Sequence, residues 1–82
     1  MPSSIFTQRH QELIGFIAST RRAAGVTQVE LAERLVKPQS FVSKVERGER
    51  RLDVIEFCQV VEALGLDPAN TLRRFIELSV EA

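Results

Sequence analysis

Between Lys37 and Arg51 the chain reads KPQSFVSKVERGERR, and the side chains there that could do chemistry are hydrogen-bonding or ionic. Lys37, Lys44, Arg47, Arg50 and Arg51 stand against only Glu46 and Glu49. Gln39 carries an amide that can pair bidentately with N6 and N7 of adenine, whereas Lys44 can reach guanine O6 and N7 or a phosphate. Ser40 and Ser43 can donate or accept with little preference, and Phe41 either meets a thymine methyl or packs into a core. This is the chemistry of reversible recognition. No nucleophile stands with its base, no paired carboxylates occur at a telling spacing and no glycine loop could cradle a phosphate, so an enzyme is not expected. One cysteine, Cys58, and one histidine, His10, far apart in sequence, leave no internal disulfide and no zinc set. No cofactor or metal is expected.

Such side chains act only if elements of structure aim them. Leu13, Ile14, Ile17 and Ala24 repeat at helical spacing before Gly25, a stop signal, and predict a first helix over about 7–24. Thr27 followed by Glu30 makes a capping box for a short second helix with Leu31, Ala32 and Leu35 on one face. Pro38 opens a third, in which Val42 and Val45 face inward and Gly48 is the stop. Asp53 and Glu56 repeat the box before Phe57, Val60, Val61 and Leu64, with Cys58 a small core residue beside them and Gly65 the stop. Asp67 and Pro68 start a fifth helix through Leu72, Phe75, Ile76 and Val80. No strand pattern appears, so the domain is expected to be all-α. His10 is expected at the surface.

The 82 residues, 44% of them hydrophobic, suffice for one core but not two. A single domain over 1–82 is expected. No long apolar run and no charged-then-apolar leader occur, which predicts a cytoplasmic chain without a membrane partner. Formal net charge is zero, yet the balance is uneven. Residues 1–24 carry +2 and residues 25–51 carry +2; residues 52–82 carry −4, with Arg73 and Arg74 against Asp53, Glu56, Glu62, Asp67, Glu77 and Glu81. A basic face toward one partner and an acidic back is one consequence; an ordinary mixed surface is the other.

The second and third helices are separated only by Val36, Lys37 and Pro38, a length used by helix pairs that cross steeply and also by plain helical hairpins. The residues themselves say more. Arg21 four before Gly25, Thr27-Gln28, Leu31-Ala32, Val42-Ser43, Glu46-Arg47-Gly48 and Ala63-Leu64-Gly65 occur in order, and over Leu13 to Leu66 the chain resembles the lambda repressor and Cro-like (Xre-type) helix-turn-helix family. The resemblance implies a five-helix bundle, sequence-specific binding to duplex DNA, and a homodimer on a two-fold operator. It also implies that Gln39 reads a base, that Gln28 grips phosphate and steadies Gln39, and that Arg21 and Glu46 form an internal ion pair. Two positions depart from the family pattern. Val36 stands where glycine is common, so the turn is expected to be remodelled around Pro38, and Lys37 replaces an apolar residue and is expected to be exposed and near phosphate.

Phosphate is also the expected ligand at the capped start of the second helix, Thr27 and Gln28, and at Arg50 and Arg51 after Gly48. The last helix, about 68–80, carries Leu72, Phe75, Ile76 and Leu78 over a broad arc, which suggests a two-fold dimer interface. The partners expected are therefore double-stranded DNA and a second copy of the chain, with RNA polymerase or a toxin left open. The competing function class is an antitoxin-like protein-interaction module of the same fold. Activator and repressor read alike at this length.

Overall fold

Side-chain caps divide the chain into five helices. The computed structural model describes residues 7–81, with side chains described through residue 78, so the side chain of Val80 lies outside the described residues. The helices are α1 (Gln8–Ala23), α2 (Gln28–Leu35), α3 (Gln39–Glu46), α4 (Val54–Ala63) and α5 (Pro68–Glu81), and no strand occurs among the described residues. Each start takes up a backbone N–H that would otherwise lack a partner. Thr7 Oγ1 accepts from the His10 N–H at 3.1 Å. Thr27 and Glu30 close a capping box at 2.8 and 3.0 Å, Asp53 and Glu56 a second at 3.0 and 2.7 Å, and Asp67 caps the Asn70 N–H at 2.8 Å. α3 is the exception. Its N-cap is Pro38, which offers no side-chain acceptor and stands one residue outside the helix that it was expected to begin from within.

The turn from α2 to α3 is not remodelled around Pro38. Val36 itself adopts the left-handed conformation, φ 56° and ψ 47°, that glycine adopts most readily. The closing bonds of a left-handed cap are in place: Val36 N–H donates to Glu33 O at 3.1 Å and Lys37 N–H to Ala32 O at 2.9 Å. A β-branched residue in this region is strained, and Val36 is 89% exposed, so no packing offsets the strain.

Ile17, Val26, Leu31, Ala32, Val42, Phe57, Val60, Val61 and Leu64 form one buried cluster drawn from α1 to α4 and the segment before α2. Leu35 and Phe41 pack partly against it. α5 closes the far side, with Phe75 only 6% exposed and its ring 5.5 Å from that of Phe16. Three expectations change here. Ala24 caps α1 and lies exposed, because the helix ends before its side chain can turn inward. Cys58 is half-buried and is not one of the buried core residues. His10 is buried, not at the surface; its Nε2 has no hydrogen-bond partner among the described residues, and burial followed by the charge of Arg51 lowers its pKa.

Strain at Val36 predicts a gain on its removal. The left-handed region costs an L-residue about 1–2 kcal/mol, and the extra freedom of glycine in the unfolded chain returns about 0.4–1 kcal/mol of that. Val36→Gly should therefore stabilise by about 1 kcal/mol, a rise in Tm of about 4–8 °C for a domain of this size. A lower melting temperature by circular dichroism would show that the valine is not strained as described.

Candidate nucleic-acid interface

Pro38 interrupts the backbone before α3, and the first turn of that helix is exposed while its other side is anchored. Val42 and Val45 are buried, whereas Gln39, Ser40 and Lys44 are exposed. Phe41 and Ser43 are half-buried. The Ser43 hydroxyl donates to Ser40 O at 3.3 Å, so it is turned back onto its own helix. Of the five candidate reading residues, Gln39, Ser40 and Lys44 present their polar ends to solvent.

Behind this turn lies a connected set of hydrogen bonds. Arg21 of α1 donates from Nε to Glu46 Oε2 at 2.7 Å and from Nη2 to Oε1 at 3.1 Å, and its Nη1 donates to Val26 O at 2.8 Å. Both side chains are more than nine-tenths buried. Gln28 Nε2 donates to the same Glu46 Oε1 at 2.9 Å. Its own Oε1 then faces outward, where Gln39 Nε2 approaches at 3.5 Å, a long contact. A core ion pair thus orients one amide, and that amide orients the next.

The charged run resolves into pairs. Arg47 holds Glu49 through two bonds of 2.9 and 3.2 Å, which lowers the Glu49 pKa and raises that of Arg47. Arg50 holds both oxygens of Glu56 at 3.0 and 2.8 Å and donates to Arg51 O at 2.7 Å. The Arg50 bonds, together with the Asp53 N–H, pull the Glu56 carboxyl down to about 2. Lys37 Nζ and Arg50 Cζ lie 5.2 and 4.7 Å from the centre of the Phe41 ring. Lys37 is exposed, as is Arg51. Thr27 spends its hydroxyl on the Glu30 cap, which leaves the first N–H groups of α2 as the anion-facing donors there.

Sequence reasoning missed Glu56 as the partner of Arg50. A capping-box glutamate just beyond a basic run was the available signal, but the pairing needs the 47–53 loop to fold back, which local pattern does not encode. The four apolar positions of α5 also divide. Leu72 and Ile76, 42% and 43% exposed and one turn apart, share a stripe. Phe75 belongs to the core and is not available to a partner face. Leu78 lies in a separate groove between α1 and α5, with Phe16, Ala23 and Leu66. Among the described residues no cluster of His, Cys, Asp and Glu could hold a metal ion, and no helix is long and apolar enough to cross a membrane.

Comparison with known proteins places this geometry. A family model described as Helix-turn-helix matches residues 17–69, more than half of the chain. An XRE-family like protein from Pseudomonas syringae pv. tomato str. DC3000 is 50% identical over 85% of this chain and 85% of its own, with a TM-score of 0.80. The clp gene regulator ClgR from Corynebacterium glutamicum is 28% identical over 87% of this chain and 76% of its own, with a TM-score of 0.74. The restriction-modification controller protein C.Esp1396I, solved as a tetramer in complex with its natural 35 base-pair operator, shares the fold at a TM-score of 0.78 with 20% identity over 87% of this chain and 93% of its own. No curated protein sequence matches.

The buried pair makes a quantitative prediction. Removing one partner leaves an uncompensated buried charge, so Arg21→Ala or Glu46→Ala should each cost on the order of 3–5 kcal/mol. The double variant should cost less than the two single changes summed, as read by urea denaturation. Strict additivity would show that the two groups do not depend on each other.

Proposed function

The chain belongs to the lambda repressor and Cro-like (Xre-type) helix-turn-helix family of DNA-binding transcriptional regulators, and from that premise we propose that it reads duplex DNA sequence-specifically, in the major groove, as a homodimer. An α-helix fits that groove, and the residues of its first turns reach base edges. The first turn of α3 is exposed and its inner face is anchored. Gln39 is the principal reader: with its Nε2 steadied by Gln28, the amide keeps a donor and an acceptor for adenine N6 and N7. Lys44 and Ser40 read beside it, and Phe41 and Ser43 shape the turn from below. The observation that carries this reading is the bonded path from Arg21 and Glu46 through Gln28 to Gln39.

Phosphate contacts would come from the N–H groups at the start of α2 beside Thr27 and Gln28, and from Lys37 and Arg51. Arg50 can join them only by leaving Glu56. The operator complex of C.Esp1396I supports duplex DNA as a ligand of this fold. Leu72 and Ile76 are the exposed stripe suited to a two-fold contact through α5, which would set two α3 helices roughly 34 Å apart for half-sites one turn distant. The whole chain then acts as one regulatory domain, cytoplasmic and without catalytic function.

Selection of bound duplexes from a random pool at about 150 mM salt, where purely electrostatic binding is weak, tests the reading. Enrichment of two inverted halves about one helical turn apart is the expected result. No enrichment from folded protein would remove sequence reading and favour a protein-interaction module. On the selected site, Gln39→Ala should lose about 1–3 kcal/mol of discrimination at one base pair; equal losses on selected and random DNA would remove Gln39 as the reader. Ile76→Glu should lower dimer content in sedimentation while leaving helicity intact, and an unchanged oligomeric state would move the interface elsewhere.

A further inference from the structure

The five cations that surround α3 are not equivalent. Arg47 and Glu49 are two residues apart and both more than half exposed, so that pair can open at little cost. Arg50 is held differently. Its guanidinium gives two parallel bonds to Glu56, a third to Arg51 O, and lies 4.7 Å from the centre of the Phe41 ring, two residues along α3 from Gln39. Glu56 is held on a second side, because its Oε1 also accepts the Asp53 N–H at 3.0 Å and closes the cap of α4. Its side chain is 20% exposed. With its carboxyl pulled down to about 2, Glu56 is ionised throughout the neutral range, and the arrangement persists there.

We propose that Glu56 is an internal stand-in for DNA phosphate, a positioning residue that keeps Arg50 out of the sequence-independent part of DNA binding. The inference rests on the DNA-binding reading above. A bidentate carboxylate and a phosphate satisfy the same planar fork of donors, so exchanging one for the other gains little. At the DNA surface the pair carries no net charge: attraction of Arg50 to the backbone is offset by repulsion of Glu56. An unpaired arginine there would neutralise a phosphate and release a counterion, which steepens the salt dependence of binding. Glu56 therefore lowers the affinity for any duplex without touching the base-reading side chains.

Glu56→Gln isolates the charge, since glutamine at the third helical position also closes a capping box. The measurement is the affinity of the full chain for random-sequence duplex DNA, by fluorescence anisotropy, between about 50 and 200 mM salt. The slope of log K against log salt should steepen by roughly 0.9 in Glu56→Gln, one additional phosphate neutralised. The double variant Arg50→Ala with Glu56→Gln, in which neither charge of the pair remains, should return to the native slope. An unchanged slope in Glu56→Gln overturns the proposal. So does a double-variant slope shallower than native, which would mean that Arg50 already contacts phosphate, or a steepened slope that survives in the double variant, which would reflect simple loss of an acidic charge. A native chain with no salt-dependent affinity for any duplex would instead overturn the DNA-binding reading on which the proposal stands.

Discussion

The contact on which the rest of this small protein depends is the doubly bonded pair of Arg21 and Glu46, which joins the end of α1 to the end of α3. α3 has only eight residues and no side-chain cap at its start, so it could not hold its place by intrinsic stability. Two valines and one glutamate fix it. Val42 and Val45 supply the hydrophobic seat, and Glu46 supplies direction, because a bidentate guanidinium and carboxylate admit few relative orientations. Arg21 Nη1 also binds Val26 O, so the same guanidinium ties down the chain entering α2. Three segments meet at one side chain.

A second constraint lies in the backbone between α2 and α3. Val36 accepts a left-handed conformation so that the bonds to Glu33 O and Ala32 O can close, and Pro38 is itself extended immediately before α3. The strain is tolerated because the two flanking helices are each held independently, α2 by its capping box and Leu31, α3 by Glu46. Arg34 adds a tie from the last turn of α2 to Ala63 O at the end of α4, at 2.8 Å. The angle between α2 and α3 is thus set from outside the turn. That is why a valine can stand there at all.

Much of the fold was legible in the sequence, for a physical reason. Thr27 with Glu30, Asp53 with Glu56, and the glycines that follow α1, α3 and α4 act on their own neighbours, so pattern and structure coincide. The buried face of α4, Phe57 with Val60, Val61 and Leu64, is equally local. Long-range contacts were less visible. The burial of His10 depends on how the start of α1 meets the rest of the bundle, and the burial of Phe75 on the Phe16 ring opposite it; neither partner is a neighbour in sequence. For the candidate site, residue types pointed to hydrogen-bonding recognition. They could not tell an exposed cation from one that a loop folds onto a carboxylate, and Arg50 is such a case.

That distinction bears on how a chain of zero net charge could bind a polyanion. If every cation from Lys37 to Arg51 met phosphate, affinity would be dominated by a term that is blind to sequence and steep in salt. Instead Arg47 and Arg50 each hold a carboxylate through two hydrogen bonds. Under the proposed function, discrimination would come from the few polar groups that the fold orients, and Gln39 has a bonded path back to the core. On that reading, pairing the cations would lower the background against which a single amide is heard. If the chain reads DNA as proposed, a charge run that looks like a DNA-binding surface in sequence serves, in the folded chain, partly to hold α3 through Glu46 and partly to limit an attraction that is blind to sequence.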